Sequence, residues 1–289
     1  MGTLQFKKRY LVYLIPAAVI MGGFFIIPFF QAIYISLMNW DGITDMTFVG
    51  LQNYVSILNE PLFLASVGRV LRFAVIQPLV QITVGVFFAY LLRKAMRGGK
   101  FFRSVFFMPV VISSASVTVM FVLLYSGEIG PFNAILKAIG LGSLARPWLA
   151  DPATAFYAVI AVAIWQQLGM IFVILLAGIQ GISGELFEAS EIDGANAIQS
   201  FFHIALPGLA PIIRVCVILG VSGALKNFDY VWILTNGGPV DSTHVPATMM
   251  YLRAFIGFRW GAGSSISVFI FMMGMLITVI FNYITRERN

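Results

Sequence analysis

Six apolar runs, each about twenty residues or longer, set the limits on what this chain can fold into. They occupy residues 11–37, 70–92, 102–125, 155–179, 209–234 and 264–284. Lipid offers no water to the backbone, so such a run must satisfy its own amides as a helix. The reading is an all-α integral membrane protein with six transmembrane helices, taken as one domain over residues 1–289. Composition agrees: 60% of residues are hydrophobic and 10% charged, where soluble domains carry about a quarter charged. The first run follows Lys7, Lys8 and Arg9, as a signal peptide would. It is too long for a signal core and no small-residue cleavage site follows, so it is read as a retained helix.

The net charge of +6 does not point to nucleic acid, because the basic residues gather at the ends of apolar runs. Lys7, Lys8, Arg9, Arg93, Lys94, Arg97, Lys100, Arg103, Arg286 and Arg288 all fall on one side of a six-span arrangement. The positive-inside rule places that side, and both termini, in the cytoplasm. Arg69 and Arg72 stand near a span start, and Arg214, near the cytoplasmic end of the fifth span, reads as a snorkelling side chain. The external segments 39–66 and 125–154 carry Trp40, Phe48, Tyr54, Phe63 and Trp148. These aromatics suit either a headgroup belt or a platform for an external partner. The lone Cys216 excludes an internal disulfide and reads as packing. His203 and His244 lack metal-ligand spacing, so no metal site is expected. No span offers a catalytic constellation of His, Cys or paired carboxylates, and no Gly-rich Lys-Ser/Thr phosphate loop is present.

One segment departs from the apolar pattern. Between the fourth and fifth runs lie Glu185, Glu188, Glu191 and Asp193 within a cytoplasmic loop, residues 182–207. Ser183 is a candidate N-cap, with Glu185 in the first turn of a short helix from Gly184 to Ile192. Leu186, Ala189 and Ser190 would come together there, with Glu188 and Glu191 on a neighbouring face. Asp193-Gly194 signals a turn and a second N-cap. A helix from 195 to 206 would then present Ile198, Phe201, Phe202 and Leu206 on one face, and Pro207 would end it. Physical reasoning leaves two uses open: a solvated interfacial loop, or a contact surface.

The spacing resembles a known family. Glu188-Ala189-Ser190, three residues, Gly194, nine residues, then Ile204-x-Leu206-Pro207 is similar to the EAA loop of ATP-binding cassette (ABC) importer permeases. Ser190 replaces the usual second Ala, and Ile192-Asp193-Gly194-Ala195 looks like the carbohydrate-uptake, maltose permease-like branch. Phe48 to Tyr54, Arg103 with Phe106 to Pro109, Asn227-Phe228-Asp229 and Leu234 to Pro239 also resemble segments of that family. The resemblance implies a type I importer permease (MetI-like) fold with a cytoplasmic coupling helix, in a bacterial cytoplasmic (inner) membrane. It implies Glu185, Glu188, Ala189, Ser190, Asp193 and Gly194 as the contact to an ATPase. The chain would bind no cofactor, ATP and Mg being held by two partner ATPase subunits. A second, different permease and an external solute-binding protein complete the implied assembly.

Polar groups at membrane depth face cavities or other helices. Gln77, Gln81, Ser113, Ser114, Ser116, Thr118, Trp165, Gln166, Gln167, Lys226, Asn227 and Asp229 are candidates for a sugar path. The competing use is helix packing and bridging, including a Lys226–Asp229 pair at i,i+3. A polyol or glycerophosphodiester permease is the alternative solute class, and an ion-coupled carrier a more distant one.

Overall fold

The computed structural model describes residues 13–93, 99–127 and 130–285. Lys7, Lys8, Arg9, Lys94, Arg97, Arg286 and Arg288, on which the orientation reading leans, lie outside the described residues. The elements run in order α1 (Ile15–Ser36), β1 (Met38–Asn39), β2 (Thr47–Phe48), α2 (Gln52–Leu58), α3 (Pro61–Leu91), α4 (Gly99–Val111), α5 (Ser114–Leu124) and α6 (Pro131–Ala138). They continue with α7 (Ala155–Gln180), α8 (Gly184–Ile192), α9 (Ala197–Leu225), α10 (Asp229–Thr235), α11 (Pro246–Tyr251) and α12 (Trp260–Thr285). Among the described residues α1, α3, α7, α9 and α12 are each long and apolar enough to cross a membrane. The bent pair α4–α5 reaches that length and hydropathy only when its two helices are taken together, which brings the candidate spans to between five and six. The chain divides into two compact units, one of residues 1–60 and 249–272, the other of residues 61–248 and 273–289.

In the smaller unit β1 and β2 pair antiparallel, Met38 opposite Phe48 and Asn39 opposite Thr47. The motif from Phe48 to Tyr54 explains itself here. Asn53 donates to the Ser36 and Met38 carbonyls at 2.9 and 2.8 Å, and the Tyr54 and Ser36 hydroxyls lie 2.7 Å apart. The bond to Ser36 satisfies a carbonyl that the end of α1 leaves open, and the bond to Met38 fastens β1 to α2. Between the strands, Asp41 accepts from the Ile43 and Thr44 amides and the Thr44 hydroxyl, which holds its carboxyl below the usual range. An ion pair joins Arg253 to Glu60.

In the larger unit α3, α7 and α9 pack around Val86, Tyr90, Phe172, Leu175, Ile179, Leu209 and the buried Cys216. Gly169 makes the closest crossing: a Cβ there would sit 2.0 Å from the Phe106 carbonyl oxygen, so only glycine lets α4 meet α7. The segment between α5 and α7 is folded, not loose. Asn133 donates to the Gly127 and Arg146 carbonyls and accepts from the Trp148 indole at 2.7 Å.

Three spans differ from the expectation. The second begins at Pro61, since Arg69 does not interrupt it but donates to the His244 carbonyl at 3.1 Å. Phe63 is therefore buried in a span, not placed in an external loop. The third is not continuous: α4 and α5 meet at 95° across Ile112 and Ser113. Pro109 removes a backbone donor in the last turn of α4, and Ser113 leaves the helix with ψ 136°. The fifth starts at Ala197, straight through Pro207, and stops at Leu225 before the separate α10. Pro207 fails to end the helix because a π turn over Phe201–Ala205 re-registers the bonds just before it, the Leu206 amide donating to Phe201.

Candidate functional site

The acidic loop forms the helix its sequence calls for. α8 spans Gly184–Ile192 with Glu185 in its first turn, and Ser183 holds the N-cap position without a side-chain cap bond. Phe187 is buried, while Glu185, Glu188, Ala189, Asp193 and Gly194 are exposed. Ser190 is half-buried and turns inward: its hydroxyl donates to the Phe187 carbonyl at 2.8 Å and meets the Ser200 hydroxyl at 2.9 Å. The departure from Ala at this position therefore ties α8 to the start of α9.

The helix ends in a Schellman turn. The Ala195 amide donates to Ser190 and the Gly194 amide to Glu191, with Gly194 at φ +78°. Asp193 is the C-cap residue, not a second N-cap. That cap is Asn196, which accepts from the Ile198 and Gln199 amides while Gln199 accepts from its own amide. Asn at the cap with Gln three residues later is a capping box, a signal present in the sequence. Of the expected apolar face, Ile198 and Phe202 are exposed, while Phe201 and Leu206 pack on the core.

The loop is also held from the second span. Tyr90 donates to the Ala197 carbonyl at 2.7 Å and packs edge-on against Phe201. The Arg93 guanidinium lies 3.9 Å from the Tyr90 ring centre and 5.1 Å from that of Phe187.

Deeper in the unit a cavity of about 210 Å³ lies among α3, α7 and α9, lined by Gln77, Gln81, Gln167, Met170, Leu219 and Asn227 among others. Asn227 donates to Gln77 at 2.9 Å, and Gln81 reaches the Ile164 carbonyl at 3.3 Å. Asn227 sits in the break between α9 and α10, where the chain leaves helical geometry and its amide can turn toward α3.

The other candidate path residues have different neighbours. Gln166 is 2% exposed; it donates to the Ile112 carbonyl and accepts from the Tyr230 hydroxyl, each at 2.7 Å. Ser114 donates to Asp229 at 2.7 Å, and Thr118 bonds back into its own helix. Trp165 packs against Phe121 with ring centres 5.3 Å apart. Ser113, Ser116 and Lys226 are exposed and line no part of the cavity. Among the described residues no ion pair joins Lys226 to Asp229; the carboxylate is taken by Ser114. Tyr230, which bridges Gln166 and Gln167, escaped the sequence reading because a tyrosine near a span end looks like any belt aromatic.

Comparison with known proteins extends these features. Residues 81–288 match the family of binding-protein-dependent transport system inner membrane components. The "Probable ABC transporter permease protein YurN" of Bacillus subtilis (strain 168) is 36% identical, the match covering 93% of this chain and 92% of that protein. The trehalose/maltose transport system permease protein MalF of Thermococcus litoralis is 31% identical, covering 100% and 98%. A chain in the crystal structure of a bacterial alginate ABC transporter, in complex with alginate pentasaccharide-bound periplasmic protein, shares the fold with a TM-score of 0.84. Its identity is 21%, over 96% of this chain and 95% of that one. With its apolar spans, its short exposed helix between the fourth and fifth, and these relatives, the chain belongs to the binding-protein-dependent transport system inner membrane components, the permease subunits of ABC transporters.

Proposed function

We propose that this chain is one membrane-spanning subunit of an ATP-driven importer for a sugar or oligosaccharide. The observation that carries the reading is α8: a capped helix with exposed acidic and small residues, set between two spans and held by side-chain bonds. Glu185, Glu188, Ala189, Asp193 and Gly194 seat in a partner ATPase, and Ser190 fixes α8 to its own chain. Closure of the ATPase pair on ATP displaces α8, and the spans exchange inward-open for outward-open states. Both termini lie in the cytoplasm, and a solute-binding protein delivers the solute from outside.

Gln77, Gln81, Gln167 and Asn227 supply amide donors and acceptors suited to sugar hydroxyls. A space of about 210 Å³ holds about seven waters at ~30 Å³ each. That is little for an oligosaccharide, which favours a second, different permease contributing the other wall. The trehalose/maltose relative supports the solute class.

The test is reconstitution of the permease pair with its ATPase and binding-protein subunits in proteoliposomes, with a panel of labelled mono- and oligosaccharides, polyols and glycerophosphodiesters. Sugar uptake that requires both ATP and binding protein is expected. Uptake confined to a polyol or phosphodiester would replace the solute class. Uptake driven by an ion gradient without ATP would sink the proposal.

A further inference from the structure

α8 is joined by the chain to α7 and α9, yet side chains fasten it to α3 as well. Arg93 stands two residues past the end of α3, with its guanidinium held over the Tyr90 ring of α3 and near the Phe187 ring on α8. Tyr90 and Phe187 are each 8% exposed and Arg93 is half-buried, so the cation meets two shielded rings from the edge of a partly desolvated site. Arg93 Nη1 donates to the Tyr90 carbonyl at 3.1 Å, while its Nε is buried without a hydrogen-bond partner. A buried donor left unpaired costs stability, so the placement is not one that hydrogen bonding alone selects. Tyr90 adds the bond to Ala197 and the contact with Phe201, on the far side of the same turn.

α3 continues from this cluster without interruption to Gln77, thirteen residues or about 20 Å along the helix. Gln77 accepts from Asn227 at the cavity. A displacement of α8 thus has a second route inward, through α3, besides its covalent neighbours.

We propose that Arg93 is a positioning residue for ATP-coupled transport: held between Tyr90 and Phe187, it locks α8 to α3, so that α3 carries the stroke to the Gln77–Asn227 pair. The proposal rests on the importer reading above and deepens it. Arg93 also has a plainer use, as a positive charge that fixes topology and complements the C-terminal end of α3. Lysine serves that use equally well, but its ammonium lacks the flat face that lies against two rings.

The experiment is the reconstituted complex carrying Arg93→Lys, Arg93→Met or Phe187→Leu, read as sugar imported per ATP hydrolysed, with the sugar that the wild type imports. Membrane abundance and bound ATPase subunits are measured alongside. The expected result is ATPase subunits bound and hydrolysing in all three, with sugar per ATP reduced about tenfold in Arg93→Met and Phe187→Leu, and about threefold in Arg93→Lys, a loss on the scale of one desolvated cation–π contact. A wild-type ratio in Arg93→Lys would overturn the proposal, because charge alone would then suffice. A wild-type ratio in Phe187→Leu would overturn it from the other side of the joint. Failure of the importer reading would look different: the wild-type complex itself would import nothing on ATP, and both proposals would fall.

Discussion

Gln166 donates to the Ile112 carbonyl at 2.7 Å, across the break that turns α4 into α5. The carbonyl has left its helix, and in lipid an open backbone acceptor is tolerated only where protein or water covers it. Gln166→Leu should strand both this carbonyl and the Tyr230 hydroxyl, costing about 1–3 kcal/mol for a buried polar group left unmade. The expected outcome is a lowered unfolding temperature in detergent, with Gln166→Glu also impaired because a carboxylate cannot donate to Ile112.

Asn227 and Gln77 face one another at the cavity. Asn227→Ala should reduce kcat/KM for the imported sugar about tenfold, or ~1.4 kcal/mol, with ATPase binding unchanged. Unchanged affinity and rate in uptake assays would remove Asn227 from the path.

Glu188→Lys and Gly194→Asp should insert at normal abundance and import nothing. For Gly194 the cause is not crowding, since nothing lies within 4 Å of where a Cβ would go. It is the φ of +78°, which costs a side chain about 1–2 kcal/mol, together with a new charge on the exposed turn after α8. Gly194→Asn, which visits this region more readily, should keep part of the uptake. Quantitative blotting beside transport assays separates the outcomes.

Ser190→Ala restores the residue usual in the family loop but deletes the bond to Ser200. Uptake should persist, with stability lower by about 0.5–1.5 kcal/mol, read as a small shift in unfolding temperature.

His244 is buried in the segment between α10 and α11, with Nδ1 3.0 Å from the Thr248 hydroxyl and Nε2 3.4 Å from Asp241. Burial moves its pKa below the ordinary 6.5; Asp241 opposes the shift and Arg69 adds to it. Folding therefore favours the neutral form. Stability is complete above about pH 6.5 and falls as the unfolded chain takes up the proton first. Unfolding temperatures of wild type and His244→Gln at pH ~7.5 and ~5.5 should show a drop that the variant loses.

The limits of α8 were legible because caps and turns are written in single residues: Glu185 in the first turn, Gly194 at the stop. The breaks after Val111 and Leu225 were not legible, since hydropathy cannot register a change of backbone direction: Lys226, Asn227 and Asp229 mark the second break, yet they read equally well as polar groups within a span. Proline gave no clear guide either. Pro109 stands in the last turn before a break, whereas Pro207 is absorbed by a π turn. Among the candidate path residues the sequence supplied a polar set but not its division. Gln166 and Gln167 are neighbours, yet one braces a helix break while the other lines the cavity, a distinction fixed by which face of α7 each occupies.

The elbow between α8 and α9 has no slack. The amides of Asp193, Gly194, Ala195 and Asn196 all donate, to Ala189, Glu191, Ser190 and Gln199 in turn. One inserted residue would break this run of bonds and change the angle at which α9 leaves α8. Grafting this loop between permeases should therefore succeed only when both helices are transplanted together, and a chimaera spliced at the elbow should assemble as an inert pore.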